Sequence, residues 1–159
     1  MPFAEVRIVL RVKDVMVTRV VTVDVGVSVR KAVERMNAHE IGCLVVLEKG
    51  QFAGILTERD VLRRVVANAR NPEEVLVGHV MSKPLTVVDP ETSLEEAVKL
   101  MFEKRVKKLP VIRTEKLVGL ITITDIASTH SEMVKYIKEL AAKYDIPKRI
   151  EKVINYYVV

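Results

Sequence analysis

The sequence is poor in aromatic residues, cysteine and histidine. Its 159 residues contain no Trp, three Phe, four Tyr, three His and a single cysteine, Cys43. Aliphatic side chains must therefore supply most of the buried surface, since aromatic residues make up 4% of the chain and apolar residues 49%. A lone cysteine excludes an internal disulfide and is typical of a reducing compartment, so we expect a cytoplasmic protein.

Long apolar runs and a secretion signal are also missing. No apolar stretch reaches the roughly 18 residues that a membrane span needs, and the opening MPFAEVRIVLR has no signal-peptide cleavage pattern. The charge is a modest excess of cations, with 26 Lys and Arg against 21 Asp and Glu. We therefore expect no membrane association, and a mild preference for anionic partners such as nucleotides, nucleic acid or acidic proteins.

Signatures of catalysis and of metal binding are absent as well. The chain has no G-x-S-x-G elbow, no H-E-x-x-H and no glycine pattern of a Walker or Rossmann loop. His39, His79 and His130 lie far apart, and none has a Cys or His neighbour at metal-ligand spacing. The sequence thus predicts neither an enzyme nor a metal site.

What the chain does contain is an internal repeat. When the sequence is displaced so that Gly54 meets Gly119, it aligns with itself without gaps over roughly 55 residues. VKDVM, VDVGVSVRKAVERM, IGCLVVL and FAGILTERDVL then match VGHVM, VDPETSLEEAVKLM, VKKLPVI and LVGLITITDIA. We predict an N-terminal arm, a first repeat, a linker, a second repeat and a C-terminal helical extension, at residues 1–11, 12–67, 68–76, 77–130 and 131–159.

Each repeat has the pattern of a β-α-β-β-α unit. A short extended segment, 19–23 or 84–88, precedes a helix with apolar residues at helical spacing. Ser28 and Ser93 are good N-caps for this helix, and Glu96 completes a capping box in the second copy.

Two strands follow the helix in each copy. They are CLVVLE and FAGILT in the first repeat, and KLPVIR and LVGLIT in the second, before another helix begins at Glu58 or Ile123. One such unit cannot bury both of its apolar surfaces alone. We therefore predict an α+β (mixed α/β) fold in which the two repeats pack with pseudo-two-fold symmetry.

The tail stands outside the repeat. SEMVKYIKELAAKY places an apolar stripe on one face of a helix, namely Met133, Tyr136, Ile137, Leu140 and Tyr144. Pro147 then interrupts the pattern. We expect the stripe to pack on the body of the protein or on a second subunit; the alternative is a helix that binds a membrane surface or nucleic acid, which the interspersed acidic residues disfavour.

The stretch GILTERD allows two interpretations. Thr57 can cap the second helix and Asp60 can complete a capping box, which would stabilise the helix by about 1 kcal/mol. The same groups suit a ligand, because a helix N-terminus attracts phosphate and a carboxylate accepts hydrogen bonds from ribose hydroxyls. Gly54 would let such a ligand approach the strand closely. Spacing alone leaves both interpretations open.

The paired units resemble a tandem pair of CBS domains, the family named for cystathionine β-synthase. The resemblance covers about residues 10–130 and includes the VKDVM and VGHVM openings, LTVVDPETSLEEAVKLM and RVKKLPVI. The closing motif G-h-h-T-x-x-D, where h is apolar, is complete in both copies, as Gly54, Thr57, Asp60 and as Gly119, Thr122, Asp125. The resemblance implies a regulatory module rather than a catalyst. Many such pairs bind AMP, ADP, ATP or S-adenosylmethionine in clefts between the repeats, with no required cofactor.

The resemblance also implies which residues hold the ligand. In the family the motif Asp holds the ribose, the Thr faces the phosphate, and the adenine lies against the partner repeat. The first cleft would combine Thr57, Arg59 and Asp60 with Leu85, Thr86, Lys107 and Lys108. The second cleft would combine Thr122, Thr124 and Asp125 with Val20, Val21, Gly42 and Cys43. Because only the first contains Arg and Lys side chains, we predict that it binds polyphosphate more tightly.

The leading hypothesis is therefore a sensor of adenine nucleotides that forms a homodimer and signals to an unknown regulated protein by conformational change. S-adenosylmethionine is an alternative ligand. A nucleic-acid-binding adaptor is a further alternative, suggested by RR at 63–64, by KRVKK and by the basic tail. The lack of aromatic stacking residues and of a nucleic-acid-reading motif disfavours it. An interaction module with inactive clefts is the remaining alternative.

Overall fold

The structure, a computed structural model, describes residues 9–157, and side chains as far as residue 155. Its contacts divide the chain into two compact units. One, here called the continuous unit, is Val20–Leu85; the other, the split unit, joins the residues up to Arg19 with those from Thr86 onwards. Residues 1–8 of the predicted N-terminal arm lie outside the described residues.

Helices and short strands alternate along the described chain, which confirms the predicted mixed α/β class. In chain order the elements are α1 (Val12–Val15), β1 (Thr22–Asp24), α2 (Val29–His39), β2 (Cys43–Glu48), β3 (Gln51–Thr57), α3 (Glu58–Val61), α4 (Val77–Val80), α5 (Leu94–Lys104), β4 (Lys108–Arg113), β5 (Lys116–Thr122), α6 (Ile123–Thr129), α7 (Ser131–Ala141) and α8 (Lys148–Tyr157). A π-helical turn, Leu62–Val66, continues α3 and was not predicted from the sequence.

The continuous unit contains the three predicted strands, with β1 parallel to β2 and β2 antiparallel to β3. The split unit pairs β4 with β5, but the strand predicted at 84–88 is wrong, since only Val88 bridges to Val111 there. The physical reason lies in one residue. Val45 donates its N–H to the Val21 carbonyl at 3.1 Å, whereas the matching residue in the second repeat is Pro110, which has no N–H to donate.

The first long helix of each repeat begins as predicted. The Ser28 hydroxyl accepts from the Lys31 N–H at 3.3 Å, and the Ser93 hydroxyl accepts from the Glu96 N–H at 3.2 Å. The Ser93 N–H donates to Glu96 Oε2 at 3.4 Å, which confirms the capping box. The apolar faces of these helices are buried, at Val29, Ala32 and Met36 in α2 and at Leu94, Ala97, Val98, Met101 and Phe102 in α5.

The opening segment of each repeat packs on the remainder of the other repeat. In the split unit, the N–H of Val12 in α1 donates to the Thr92 carbonyl at 2.8 Å. In the continuous unit, the N–H of Val77 in α4 donates to the Val27 carbonyl at 2.9 Å. Both valines are fully buried. The segment 68–76, predicted to be a linker, also lies in the continuous unit, where its Val75 is buried.

The C-terminal helices α7 and α8 pack into the core of the split unit. Packing on the body of the protein was one of the two arrangements predicted for the apolar stripe. Met133, Ile137 and Leu140 of α7 join the same buried cluster as α5 and α6, and so do Ile150 and Ile154 of α8. The stripe therefore packs on the body of the protein. Across the described residues, the structure contains no helix that is both long enough and apolar enough to span a membrane.

Candidate functional site

The first copy of the closing motif lies where β3 ends and α3 begins. Cys43 is the register partner of Thr57, and the Glu58 N–H donates to the Gly42 carbonyl at 3.0 Å. The Thr57 N–H donates to Asp60 Oδ2 at 3.0 Å, and the Asp60 N–H donates to Thr57 Oγ1 at 3.2 Å. This reciprocal pair confirms the predicted capping box.

The Asp60 carboxylate is engaged on both oxygens. Thr57 Oγ1 donates to Oδ2 at 3.1 Å, Ser82 Oγ donates to Oδ1 at 2.8 Å, and Arg64 Nη1 lies 3.3 Å from Oδ1. Arg64 also donates to the carbonyls of Val80 and Met81 at 2.6 and 2.8 Å. Asp60 is accordingly only 6% exposed.

Sequence reasoning missed Ser82 and Arg64. The spacing of four residues between Asp60 and Arg64 was a usable signal, because such pairs are neighbours on a helix surface. No comparable pattern connects Ser82 to Asp60.

The second copy of the motif has the same local frame in the split unit. Lys108 is the register partner of Thr122, and the Ile123 N–H donates to the Lys107 carbonyl at 2.9 Å. The Asp125 N–H donates to Thr122 Oγ1 at 3.0 Å, and Thr122 Oγ1 in turn contacts Asp125 Oδ2 at 2.7 Å. Each motif thus places a threonine hydroxyl beside an aspartate carboxylate at the start of a helix.

Asp125 has fewer partners than Asp60. Over residues 9–157, its carboxylate accepts from Thr122 alone, and its side chain is half-buried. The residues that match Ser82 and Arg64 are Val17 and Thr129. Val17 is apolar, and Thr129 donates its hydroxyl to the backbone carbonyl of Asp125 at 2.6 Å. Asp125 Oδ1 is therefore open to another donor.

The two motif glycines, Gly54 and Gly119, lie against backbone carbonyl groups, whereas the sequence suggested that a ligand would approach Gly54. A Cβ on Gly54 would lie 2.6 Å from the Ser82 carbonyl oxygen, and a Cβ on Gly119 would lie 2.8 Å from the Val17 carbonyl oxygen. Beside each glycine, an isolated antiparallel β-bridge joins two backbone segments. The bridges link Ile55 to Ser82 and Val17 to Leu120. The group that approaches Gly54 so closely is the chain's own backbone.

The other predicted site residues are divided between the two units. Arg59 is exposed on α3, Thr124 is half-buried on α6, and Cys43 is buried. The half-buried residues are Val20, Val21, Gly42 and Leu85 of the continuous unit and Thr86, Lys107 and Lys108 of the split unit. Thus Gly42 and Cys43 adjoin Thr57, and Lys107 and Lys108 adjoin Thr122.

The Glu58 side chain adds a carboxylate to this region. Its carboxyl carbon lies 3.2 Å from where a Cβ on Gly42 would stand. The matching residue in the second repeat is Ile123, so the two copies differ in charge here. In residues 9–157, no three His, Cys, Asp or Glu side chains cluster in a way that could hold a metal ion.

Comparison with known proteins gives a match in both repeats. The model of the CBS domain matches residues 12–67 and residues 77–132. MK0525 of Methanopyrus kandleri is 38% identical over 112 residues, which cover 69% of this chain and 57% of that protein. The CBS domain-containing protein YhcV of Bacillus subtilis is 36% identical over 116 residues, which cover 73% of this chain and 82% of YhcV. The chain thus spans little more than half of the Methanopyrus protein.

Solved structures give the same result. A Burkholderia ambifaria protein with CBS domains, named for signal transduction, is 32% identical with a TM-score of 0.63, covering 82% of this chain and 88% of its own. A hexameric CBS-CP12 protein from bloom-forming cyanobacteria is 26% identical with a TM-score of 0.70, covering 94% of this chain and 92% of its own.

Proposed function

Because the chain belongs to the CBS domain family, we propose that it is a regulatory module that binds an adenine nucleotide and signals to a partner protein. The observation that carries the proposal is the Thr and Asp pair at the close of each repeat, with the carboxylate of Asp125 only partly engaged. A carboxylate offers about four acceptor positions, so Asp125 can receive both hydroxyls of a ribose.

The proposed ligand contacts follow from the chemistry of these groups. Asp125 accepts hydrogen bonds from the ribose, and Thr122 turns its hydroxyl from Asp125 towards a phosphate oxygen. Hydrogen bonds to a charged group contribute about 1.5–3 kcal/mol each. Lys107, Lys108 and Arg59 are proposed to neutralise phosphate charge, which makes AMP, ADP and ATP the ligands to examine first.

S-adenosylmethionine is a second candidate, which one observation favours. The Glu58 carboxylate lies beside Gly42. Gly42 is one of the residues that the family resemblance assigns to the cleft of Asp125. A carboxylate there opposes added phosphates and attracts a cationic sulfonium.

The proposal extends to assembly and signalling. We propose a cytoplasmic homodimer whose ligand shifts the population of two conformations, and an unknown regulated protein that distinguishes them. Such a ligand acts only through different affinities for the two conformations.

Calorimetric titration of the full chain with AMP, ADP, ATP and S-adenosylmethionine tests the proposal. We expect saturable binding of at least one of them, and about a tenfold or greater loss of affinity in Asp125→Asn, the equivalent of about 1.4 kcal/mol or more. Glu115→Gln, an exposed carboxylate in the β4–β5 turn of the same unit, is the matched control and should bind as the wild type does. Absence of binding by all four compounds up to millimolar concentration would overturn the proposal.

A further inference from the structure

The two copies of the motif hold their aspartates differently. Asp60 accepts three hydrogen bonds, from the N–H and the hydroxyl of Thr57 and from the Ser82 hydroxyl, and it forms an ion pair with Arg64. Within the described part of the chain, Asp125 receives the Thr122 hydroxyl alone. Asp60 is 6% exposed, whereas Asp125 is half-buried. One motif is closed by its own neighbours and the other is open.

Two substitutions between the repeats account for two of the three additional partners of Asp60; the third is the Thr57 N–H. Ser82 matches Val17, which has no hydroxyl, and Arg64 matches Thr129, whose hydroxyl is committed to a backbone carbonyl. Arg64 also bridges from Asp60 to the carbonyls of Val80 and Met81 at the end of α4. The contacts of Asp60 and Arg64 therefore connect α3 and its π-helical continuation to the C-terminal end of α4 within the continuous unit.

We propose that Ser82 and Arg64 keep Asp60 out of ligand binding, so that Asp125 is the ribose acceptor of this protein. The inference rests on the function proposed above. A carboxylate has about four acceptor positions; three of those of Asp60 hold hydrogen bonds, and the Arg64 guanidinium lies 3.3 Å from Oδ1. A ribose that binds Asp60 exchanges existing hydrogen bonds for new ones and gains little, whereas a ribose that binds Asp125 adds bonds to an open oxygen.

This order of affinity differs from the one that charge alone predicts. The family resemblance assigns Arg59, Lys107 and Lys108 to the cleft of Asp60, which would favour phosphate there, while the carboxylate geometry favours ribose binding at Asp125. Adenosine has a ribose and no phosphate, so it isolates the carboxylate contribution. Titration with adenosine and with AMP therefore separates the two effects.

The test is calorimetry on the full chain with adenosine and AMP, in wild type and in four variants. We expect one tight equivalent per chain in the wild type, at least a tenfold loss of affinity in Asp125→Asn, and a change within threefold in Asp60→Asn. The double variant Ser82→Val with Arg64→Thr carries the residues of the second copy and should gain a second binding event. The reciprocal Val17→Ser with Thr129→Arg should weaken binding at Asp125.

The reciprocal variant keeps the test decisive if changes around buried Asp60 prevent folding, because Val17 is 43% exposed and Thr129 is exposed. Unchanged affinity in that variant, two equal sites in the wild type, or equal losses in Asp60→Asn and Asp125→Asn would each overturn the inference and leave nucleotide binding intact. A wild type that binds neither these ligands nor ADP, ATP or S-adenosylmethionine would overturn the proposed function, and this inference with it.

Discussion

At the scale of single residues, Gly54 shows how tightly the backbone is packed around the motif. Its hydrogen occupies the space between β3 and the Ser82 carbonyl, where a methyl group would stand 2.6 Å from the oxygen. Backbone, unlike the end of a flexible side chain, cannot move aside without disturbing its own hydrogen bonds. The glycine is therefore needed for the bridge between Ile55 and Ser82.

We predict that Gly54→Ala lowers the free energy of unfolding by about 1–3 kcal/mol, the usual cost of overpacking a filled interior. Gly42→Ala is the control, because its nearest neighbour is the exposed Glu58 side chain, which can shift. Urea denaturation of both variants measures the difference. Equal stability of Gly54→Ala and wild type would contradict the contact.

Glu91 pairs with three cations on the surface of the split unit. It accepts from Lys13 at 2.9 Å and from Arg113 at 2.9 Å, and Arg11 lies 3.2 Å away. The Lys13 hydrogen bond, supported by the other cations, lowers the pKa of Glu91 from its ordinary 4.5. A carboxyl group with a lowered folded-state pKa stabilises the fold above its unfolded pKa and loses that contribution as the pH falls through the folded value.

We predict that Glu91→Gln unfolds at a lower temperature than the wild type at pH 7. The gap should narrow as the pH falls below 4.5, the ordinary pKa, and close once the pH is below the lowered pKa of the folded protein, where the wild-type carboxyl is neutral like the glutamine. Thermal melts across this range, with Glu115→Gln as control, measure the gap. A gap that is constant down to pH 3 would show that the charge is not the cause.

At the scale of elements, the C-terminal helix α7 belongs to the fold of the split unit. Its Ile137 is 1% exposed and packs with residues of α5 and α6. Arg105, the C-cap of α5, also donates to the Asp145 carbonyl at 2.8 Å. The extension is therefore a structural part of this unit.

We predict that Ile137→Ala lowers the free energy of unfolding by about 2–5 kcal/mol, as expected for a buried large-to-small change. Lys138→Ala, at the next and exposed position of the same helix, should change it by less than about 0.5 kcal/mol. Chemical denaturation compares the two. A small effect of Ile137→Ala would mean that α7 detaches without loss of the core.

Helices and strands were predictable from the sequence where residues close together along the chain determine them. The helices after Ser28 and Ser93 were predicted because an N-cap and an apolar stripe lie within one stretch of chain. The second copy of β1 was wrongly predicted from its apolar residues, although Pro110 in the neighbouring strand was a readable warning. The π-helical turn after α3 had no signal in the sequence that we recognise.

At the scale of the whole molecule, the sequence repeats and the compact units have different bounds. Val77 and Val80 of the second repeat's opening are fully buried in the core of the continuous unit. A fragment that follows the first sequence repeat, 12–67, lacks them. A fragment 20–85 contains the entire continuous unit.

We predict that fragment 20–85 shows a cooperative thermal transition by circular dichroism and that fragment 12–67 does not. Both are small, so their stability is marginal and the buried valines decide the outcome. A third fragment, 20–85 with Val77→Ala and Val80→Ala, is the matched control and should behave like 12–67. Similar transitions in 12–67 and 20–85 would contradict the unit boundaries.

The sequence by itself determined the repeat, the helix caps and the Thr57–Asp60 pair, because these depend on residues three or four positions apart. Only the tertiary structure decided that Ser82 reaches Asp60 across 22 positions of the chain, and that α1 and α4 complete each other's repeat. Such contacts depend on the three-dimensional path of the backbone, which no local pattern records. The two motifs are alike in sequence, and the tertiary neighbours of their aspartates make them different.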